Sequence, residues 1–253
     1  MIDFIKTCLT IPVVQGHELY LGLPTFSLRS KNIQFSYLKD KVVKKMQGWG
    51  NKIFSVGGKE VLIKSVLQSI PTYAMACFKI PDAICADIER ACANFWWGLD
   101  KGRKRMHWTT WKELCRPKRM GGMGFKDLKL FNKSLIAKQI WRLVQNPNSL
   151  VARVLKGRYH RHVDIMEAQL GNNPSFIWRS FVWGRELLRE GLYWRIGDGK
   201  HIGVFHHRWV HDLADPIPFA AAELSPEAHV AELITGKEWN TNMITRNFMP
   251  YYS

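Results

Sequence analysis

Between residues 101 and 133 the sequence gathers side chains suited to holding a phosphate backbone. Lys101, Arg103, Lys104 and Arg105 fall within five positions, beside His107, Trp108 and Trp111. Arg116, Lys118 and Arg119 follow, and Lys126, Lys129 and Lys133 then recur at steps of three and four along one side of a predicted helix. Flexible cations at such spacing neutralise successive phosphates, and an aromatic such as Trp108 stacks on an unpaired base for roughly 1–3 kcal/mol. Trp108 and Trp111 serve equally well as core residues of a helical domain. Nothing in the pattern reads base sequence.

Other groupings carry less chemistry. Gly121–Gly122–Met123–Gly124 precedes a predicted helix, where backbone N–H groups can meet a phosphate. It lacks the lysine of a nucleotide-binding P-loop, so a tight turn feeding Phe125 into the core is the simpler reading. His201, His206, His207 and His211 cluster without a nearby cysteine, and His207 with His211 would suit a metal only on a helix. No metal, cofactor or nucleophile–base pair is assigned. The five cysteines form no CxxC pair and read as reduced, buried thiols of a reducing compartment, nucleus or cytoplasm.

The charge supports the same stretch. The chain of 253 residues carries 37 Lys+Arg against 21 Asp+Glu, a formal charge of +16. Residues 1–100 hold 12 basic and 8 acidic side chains, residues 101–200 hold 22 and 7, and residues 201–253 hold 3 and 6. The excess therefore sits in the middle hundred residues, and a field of that sign attracts polyanions. A hydrophobic fraction of 46% excludes wholesale disorder. No run approaches the roughly 20 apolar residues of a membrane span, so no membrane partner is expected. The opening residues, with an early acid and no long apolar stretch, do not resemble a secretory signal.

The elements that must position these residues are mostly helices. Residues 1–28 read as an irregular lead-in. Ser30 caps a helix to Gln47 with Leu38, Val42, Met46 and Trp49 on one face. A second helix, 59–70, aligns Leu62, Val66 and Ile70 and stops at Pro71. A third, opened by Pro81–Asp82, runs to Trp97 with Ile84, Ile88, Cys92 and Phe95 as its stripe. A long helix follows from Asp127 to about Val144, a shorter one opened by Asn148 or Ser149 runs to about Arg158, and another opened by Asn173–Pro174 or Ser175 runs to Arg189. Tyr193–Phe205 offers two strand-like pieces around Gly197–Asp198–Gly199, a β-hairpin signal, and Ala228–Thr235 a weak amphipathic helix. The expected fold is mainly α, a helical body with a small β-hairpin near residues 193–205. Three regions follow: the lead-in over 1–28, a basic helical domain over 29–190, and a hairpin with an acidic tail over 191–253.

Several of these segments together resemble one family. YLGLPTFSLRSK, the MQGW of Met46–Trp49, GGKEVLIKSVLQSIPTYAMACFKIP, the FWWG of Phe95–Gly98, GGMGFKDLKLFNKSLIAKQIWRL, NPSFIWRS and WRIGDGKHI stand in the order and spacing seen just C-terminal to the polymerase core of plant non-LTR (LINE-type) retrotransposon reverse transcriptases. The resemblance covers about Leu19 to Trp209 and implies a thumb and connector that grip RNA or a primer–template without reading sequence. It further implies a palm-bearing reverse transcriptase as a partner. The family is an RNA-directed DNA polymerase whose palm holds two Mg²⁺ through an Asp–Asp turn. This chain has no Asp–Asp pair, so it is expected not to polymerise alone. The family's zinc-binding region is absent or only begun within 191–253. Relatives place an acid where this chain has His207.

Two other readings stand beside this one: a helical module whose basic stripe binds an acidic protein, and a pseudogene product without selected function. In the second case the aromatic load of an orphaned fragment would leave it sticky.

Overall fold

The computed structural model describes residues 19–20, 22–24, 29–49, 54–100, 103–104, 106–210, 224–236 and 238–252. The chain packs as two units, Met1–Arg185 and Glu186–Ser253, and the boundary falls within a helix. Helices dominate the described residues, so the mainly α expectation holds.

In the first unit a short antiparallel pair, β1 (Leu19–Tyr20) and β2 (Leu23–Pro24), comes before α1 (Lys31–Gln47). Phe35, Leu38 and Val42 turn α1 inward, while Lys44 and Lys45 close its last turn, where cations suit the helix dipole. Ser55 starts α2 (Val56–Leu62) by accepting the Gly58 N–H, and one wide π turn, Ile63–Leu67, extends it. The expected stripe of Leu62, Val66 and Ile70 is only half-buried, whereas Ile63 and Leu67 are fully buried. Both sets have i, i+4 spacing, and packing against α4, in the core that also holds Leu128, selects the second. Pro71 does more than stop a helix, since it stands at the N-cap of α3 (Thr72–Cys77).

Helix α4 (Asp82–Trp97) buries Ile84, Cys85, Ile88 and Cys92 and lies along α1. A two-stranded ladder, β3 (Leu99–Asp100) with β4 (Arg103–Lys104), leads to α5 (Trp111–Cys115), capped by Thr110. Helix α6 (Leu128–Gln145) starts at Asp127, whose carboxylate accepts the Leu130 N–H at 2.9 Å. Ser149 caps α7 (Leu150–Tyr159), and Ser175 accepts the Trp178 N–H in the first turn of α8 (Phe176–Gly191). One core joins Phe35, Ile63, Met75, Ile88, Phe125 and Leu128.

Polar side chains inside this core fix the loops between helices. Asn132, only 1% exposed, donates to the carbonyls of Met75 (2.7 Å) and Phe78 (2.9 Å) and accepts the Ile80 N–H (2.8 Å). Buried Gln68 donates to the Lys126 carbonyl and accepts its N–H. Ser180 accepts the Lys79 N–H. Each pairing satisfies backbone groups that burial would otherwise leave without partners.

The second unit departs from its expected hairpin. Tyr193–Phe205 forms turns, and its strand-like residues pair with a distant segment rather than with each other. Val204 N–H donates to the Ala228 carbonyl and Val230 N–H to the Ile202 carbonyl, while Trp194 N–H reaches Arg208. The hairpin expected near 193–205 is therefore displaced to β5 (Ile234–Thr235) and β6 (Glu238–Trp239). The helix expected over Ala228–Thr235 is a short 3₁₀ turn, Val230–Leu233, running into β5, because Ile202–Val204 claims the backbone of 228–230. A final helix, α9 (Thr241–Tyr252), brings Phe248 against Phe205 in a core with Ile202, Val204 and Leu233.

Candidate nucleic-acid interface

The basic stretch is carried by α5, the turn after it and the start of α6. Lys101 and Arg105 lie outside the described residues; Arg103 and Lys104 form β4, paired with Asp100 and Leu99. Of the six predicted cations that follow, three are exposed and engaged with carboxylates. Arg116 meets Glu113 at 2.8 Å, Lys118 meets Glu60 at 2.7 Å, and Lys129 meets Asp82 at 2.6 Å. Lys126 rests its ammonium 4.0 Å from the centroid of Phe131. Arg119 is exposed and Lys133 half-buried, and neither has an ion-pair partner among the described residues.

Glu60 is the junction of this cluster. Hydrogen bonds from Lys118 and Lys64 hold its carboxyl below the ordinary carboxylate range. In turn, Asp82 raises the Lys129 ammonium above its ordinary value, first through their hydrogen bond. Solvent screens exposed pairs such as Arg116–Glu113 and Lys129–Asp82, so a phosphate can take the place of their carboxylates at small cost. Lys59 and Lys64 join the cluster from α2 and its π turn; no local pattern points to them except the i, i+4 pair Glu60–Lys64.

The two tryptophans separate clearly. Trp111 lies flat on Phe125, with ring centroids 5.0 Å apart and planes 11° apart, and belongs to the core. Trp108 is 80% exposed, close in sequence to Met106 and His107, which are exposed too. Of the two rings, only Trp108 is open to a base.

The glycine turn does not cradle phosphate. The N–H groups of Gly121, Gly122, Met123, Gly124 and Phe125 donate to the carbonyls of Lys118, Pro117, Leu114, Arg116 and Leu114. The strand-like return is so close that a Cβ on Gly122 would collide with the Arg116 carbonyl. This turn sets Phe125 between Trp96 and Trp111, as the simpler reading expects.

Among the described residues the histidines do not assemble a metal site. His207 Nδ1 accepts the Gly203 N–H at 2.8 Å and closes a turn, while His201 and His206 are exposed. His211 lies outside the described residues. Among the described residues no group of three His, Cys, Asp or Glu is placed to hold a metal ion. The acid that the resemblance leads one to expect at position 207 could accept the same bond. The thiols are quiet as well: burial pushes Cys85, Cys92 and Cys115 up to about 12. A thiol, unlike a thiolate, is a poor nucleophile and metal ligand.

Comparison with known proteins finds relatives in a plant. It is 41% identical over 152 residues to the "Uncharacterized mitochondrial protein AtMg00310" of Arabidopsis thaliana, a match covering 60% of this chain and 98% of that protein. It is 33% identical over 192 residues to the "Putative ribonuclease H protein At1g65750" of Arabidopsis thaliana, a match covering 74% of this chain and 31% of that protein. The chain thus spans about a third of the second relative's length. No protein-family model and no solved structure matches it. Near-complete coverage of the first relative at this identity means that the chain belongs to the family of the Arabidopsis mitochondrial protein AtMg00310.

Proposed function

We propose that this chain is a sequence-nonspecific nucleic-acid-binding segment of a retrotransposon RNA-directed DNA polymerase, the thumb and connector beyond the palm. It holds RNA or a primer–template and leaves polymerisation to a palm-bearing partner. The observation that carries this reading is the exposed Trp108 in the same stretch of sequence as cations that, among the described residues, are free or paired with carboxylates. The partial match to a much longer protein with a ribonuclease H name supports it, since reverse transcription and removal of the RNA strand act on the same hybrid. Sequence motifs of the LINE type, from MQGW to WRIGDGKHI, support it as well.

Salt dependence tests the proposal. Anisotropy titrations with single-stranded RNA and with a primer–template are expected to show affinity falling log-linearly with salt. Replacing Arg103, Lys104 and Arg105 together by Ala should lower affinity for all sequences alike and reduce the slope by about three, one for each phosphate left without its cation. Unchanged binding in that variant removes these residues from the interface, and a salt-insensitive complex favours a protein partner instead. Incorporation of nucleotides by the purified chain on primed RNA with Mg²⁺ would overturn the polymerase-accessory role.

Trp108→Ala provides a second measurement. Its affinity for single-stranded RNA should drop by about 1–3 kcal/mol, the worth of one stacked base, while the thermal midpoint stays put. A lower melting temperature with unchanged affinity would assign the ring to packing.

A further inference from the structure

Away from that surface, the end of α6, the C-terminal half of α7 and the loop 161–165 enclose a cleft of about 370 Å³. This lies within the roughly 300–1,000 Å³ typical of small-ligand sites. Its lining has two chemical parts. Leu143, Val144, Pro147 and Ile165 supply an apolar wall, and Lys156, Arg161 and His162 supply a basic one. The basic residues are exposed, and neither Lys156 nor Arg161 has a hydrogen-bond or ion-pair partner among the described residues. Here they differ from Arg116, Lys118 and Lys129, whose charges are answered by neighbours. Asp164 is the one carboxylate in the lining, and its Oδ1 accepts the Met166 N–H at 2.7 Å.

The cleft is held open by its own frame. The buried guanidinium of Arg185 donates to the carbonyls of Ile165 (2.8 Å) and Ala168 (2.6 Å), which fixes the loop. His160, 9% exposed, is both part of the lining and stacked on Trp178 with planes 7° apart. Its Nδ1 lies 3.2 Å from the Val163 carbonyl, so that nitrogen carries the proton. His160 Nε2 is then left buried without a partner. With almost no accessible surface, that nitrogen backs the wall of the cleft rather than facing a ligand.

We infer that this cleft binds a single nucleotide, its phosphate on Lys156 and Arg161 and its base against the Leu143–Val144–Pro147 wall. An inorganic anion would leave the apolar wall unused, and a hydrocarbon chain would leave the cations unanswered. A nucleotide satisfies both. The same chemistry is offered by a free mononucleotide and by the 5′-phosphorylated end of a strand. The site is separate from the proposed strand-binding surface, so the chain with Arg103, Lys104 and Arg105 replaced by Ala is expected to retain it.

The test is a methyl NMR titration of the full chain with 5′-AMP, following Leu143, Val144, Ala152 and Ile165. Shifts confined to these methyls, and about tenfold weaker binding in the Lys156→Ala/Arg161→Ala variant, support the site, since each cation removed takes charge-assisted hydrogen bonds with it. A 5′-phosphorylated oligoribonucleotide and its 5′-hydroxyl counterpart then identify the source. Shifts with the phosphorylated strand alone assign a strand end, and shifts with AMP but neither strand assign a free nucleotide. No shifts at millimolar AMP, binding untouched by the double substitution, or inorganic phosphate binding as tightly as AMP would each overturn the inference.

Discussion

Asn132→Leu is expected to destabilise the first unit by about 3–5 kcal/mol, among the largest effects of any single substitution in the chain. The side-chain volume is nearly kept, so the effect comes from polar groups left unmet. Asn132 satisfies the Ile80 N–H and the carbonyls of Met75 and Phe78. Each buried group stripped of its partner costs about 1–3 kcal/mol. All three lie in or beside α3 and the turn that connects it to α4, so the damage falls on the joint between α3, α4 and α6. Asn132→Ala should cost at least as much, because it adds a cavity. Urea unfolding followed by circular dichroism measures both; a destabilisation below about 1 kcal/mol for the leucine variant would mean that water or a loop shift replaces the amide.

A comparable effect is expected from Gly199→Ala, confined to the second unit. Gly199 has φ +71°, a conformation that costs an L-residue about 1–2 kcal/mol. Its missing Cβ matters further, since a carbon there would stand 2.5 Å from the Ala231 nitrogen and 2.9 Å from the Val230 carbonyl carbon. Backbone cannot swing away as a flexible side chain does, and overpacking of this kind adds about 1–3 kcal/mol. The Gly199 carbonyl also accepts the N–H groups of Ile202 and Ala231, so moving the turn breaks the pairing of 202–204 with 228–230. Hydrogen exchange should speed up at Val204 and Val230 while the amides of α6 keep their protection. Gly197→Ala is the control: no atom lies within 4 Å of its would-be Cβ, and its effect should stay within about 0.5 kcal/mol. Equal effects at both glycines would contradict the steric explanation.

The contrast between these two sites shows what could be read from residues alone. Helices α1, α4, α6, α7 and α8 were legible within a residue or two because their signals are local: Ser149, Ser175 and Asp127 at the starts, apolar stripes at steps of three and four, and Pro147 beyond an end. Gly197–Asp198–Gly199 was legible as a turn but not as the anchor of a pairing with residues thirty positions away, which no local pattern encodes. Within α2 the sequence offers two apolar pairs of equal spacing, and only packing chooses Ile63 and Leu67. Helix α9 was missed, although Asn240 caps it by accepting the Met243 N–H at 3.1 Å.

For the candidate site, the cations and Trp108 were legible as residue types, and their partners were not. Glu60 and Asp82 meet Lys118 and Lys129 across long stretches of chain. Trp108 and Trp111 look alike in sequence; the tertiary position of Phe125 draws one inward and leaves the other out. The cleft beside α7 was missed altogether, because its basic and apolar sides come from separate elements.

Glu60, Asp82 and Glu113 occupy three of the cations that the proposed function assigns to phosphates. On that proposal they would act as resident competitors, giving the unliganded surface a built-in shield against stray anions. A lone anion gains little by displacing one of them, whereas a polymer with phosphates on one backbone displaces several in a single event. Recognition would then depend on linkage between charges rather than on charge itself, and a carboxylate freed by the exchange would recruit a cation from solution, making the ionic-strength response shallower than the number of phosphates held.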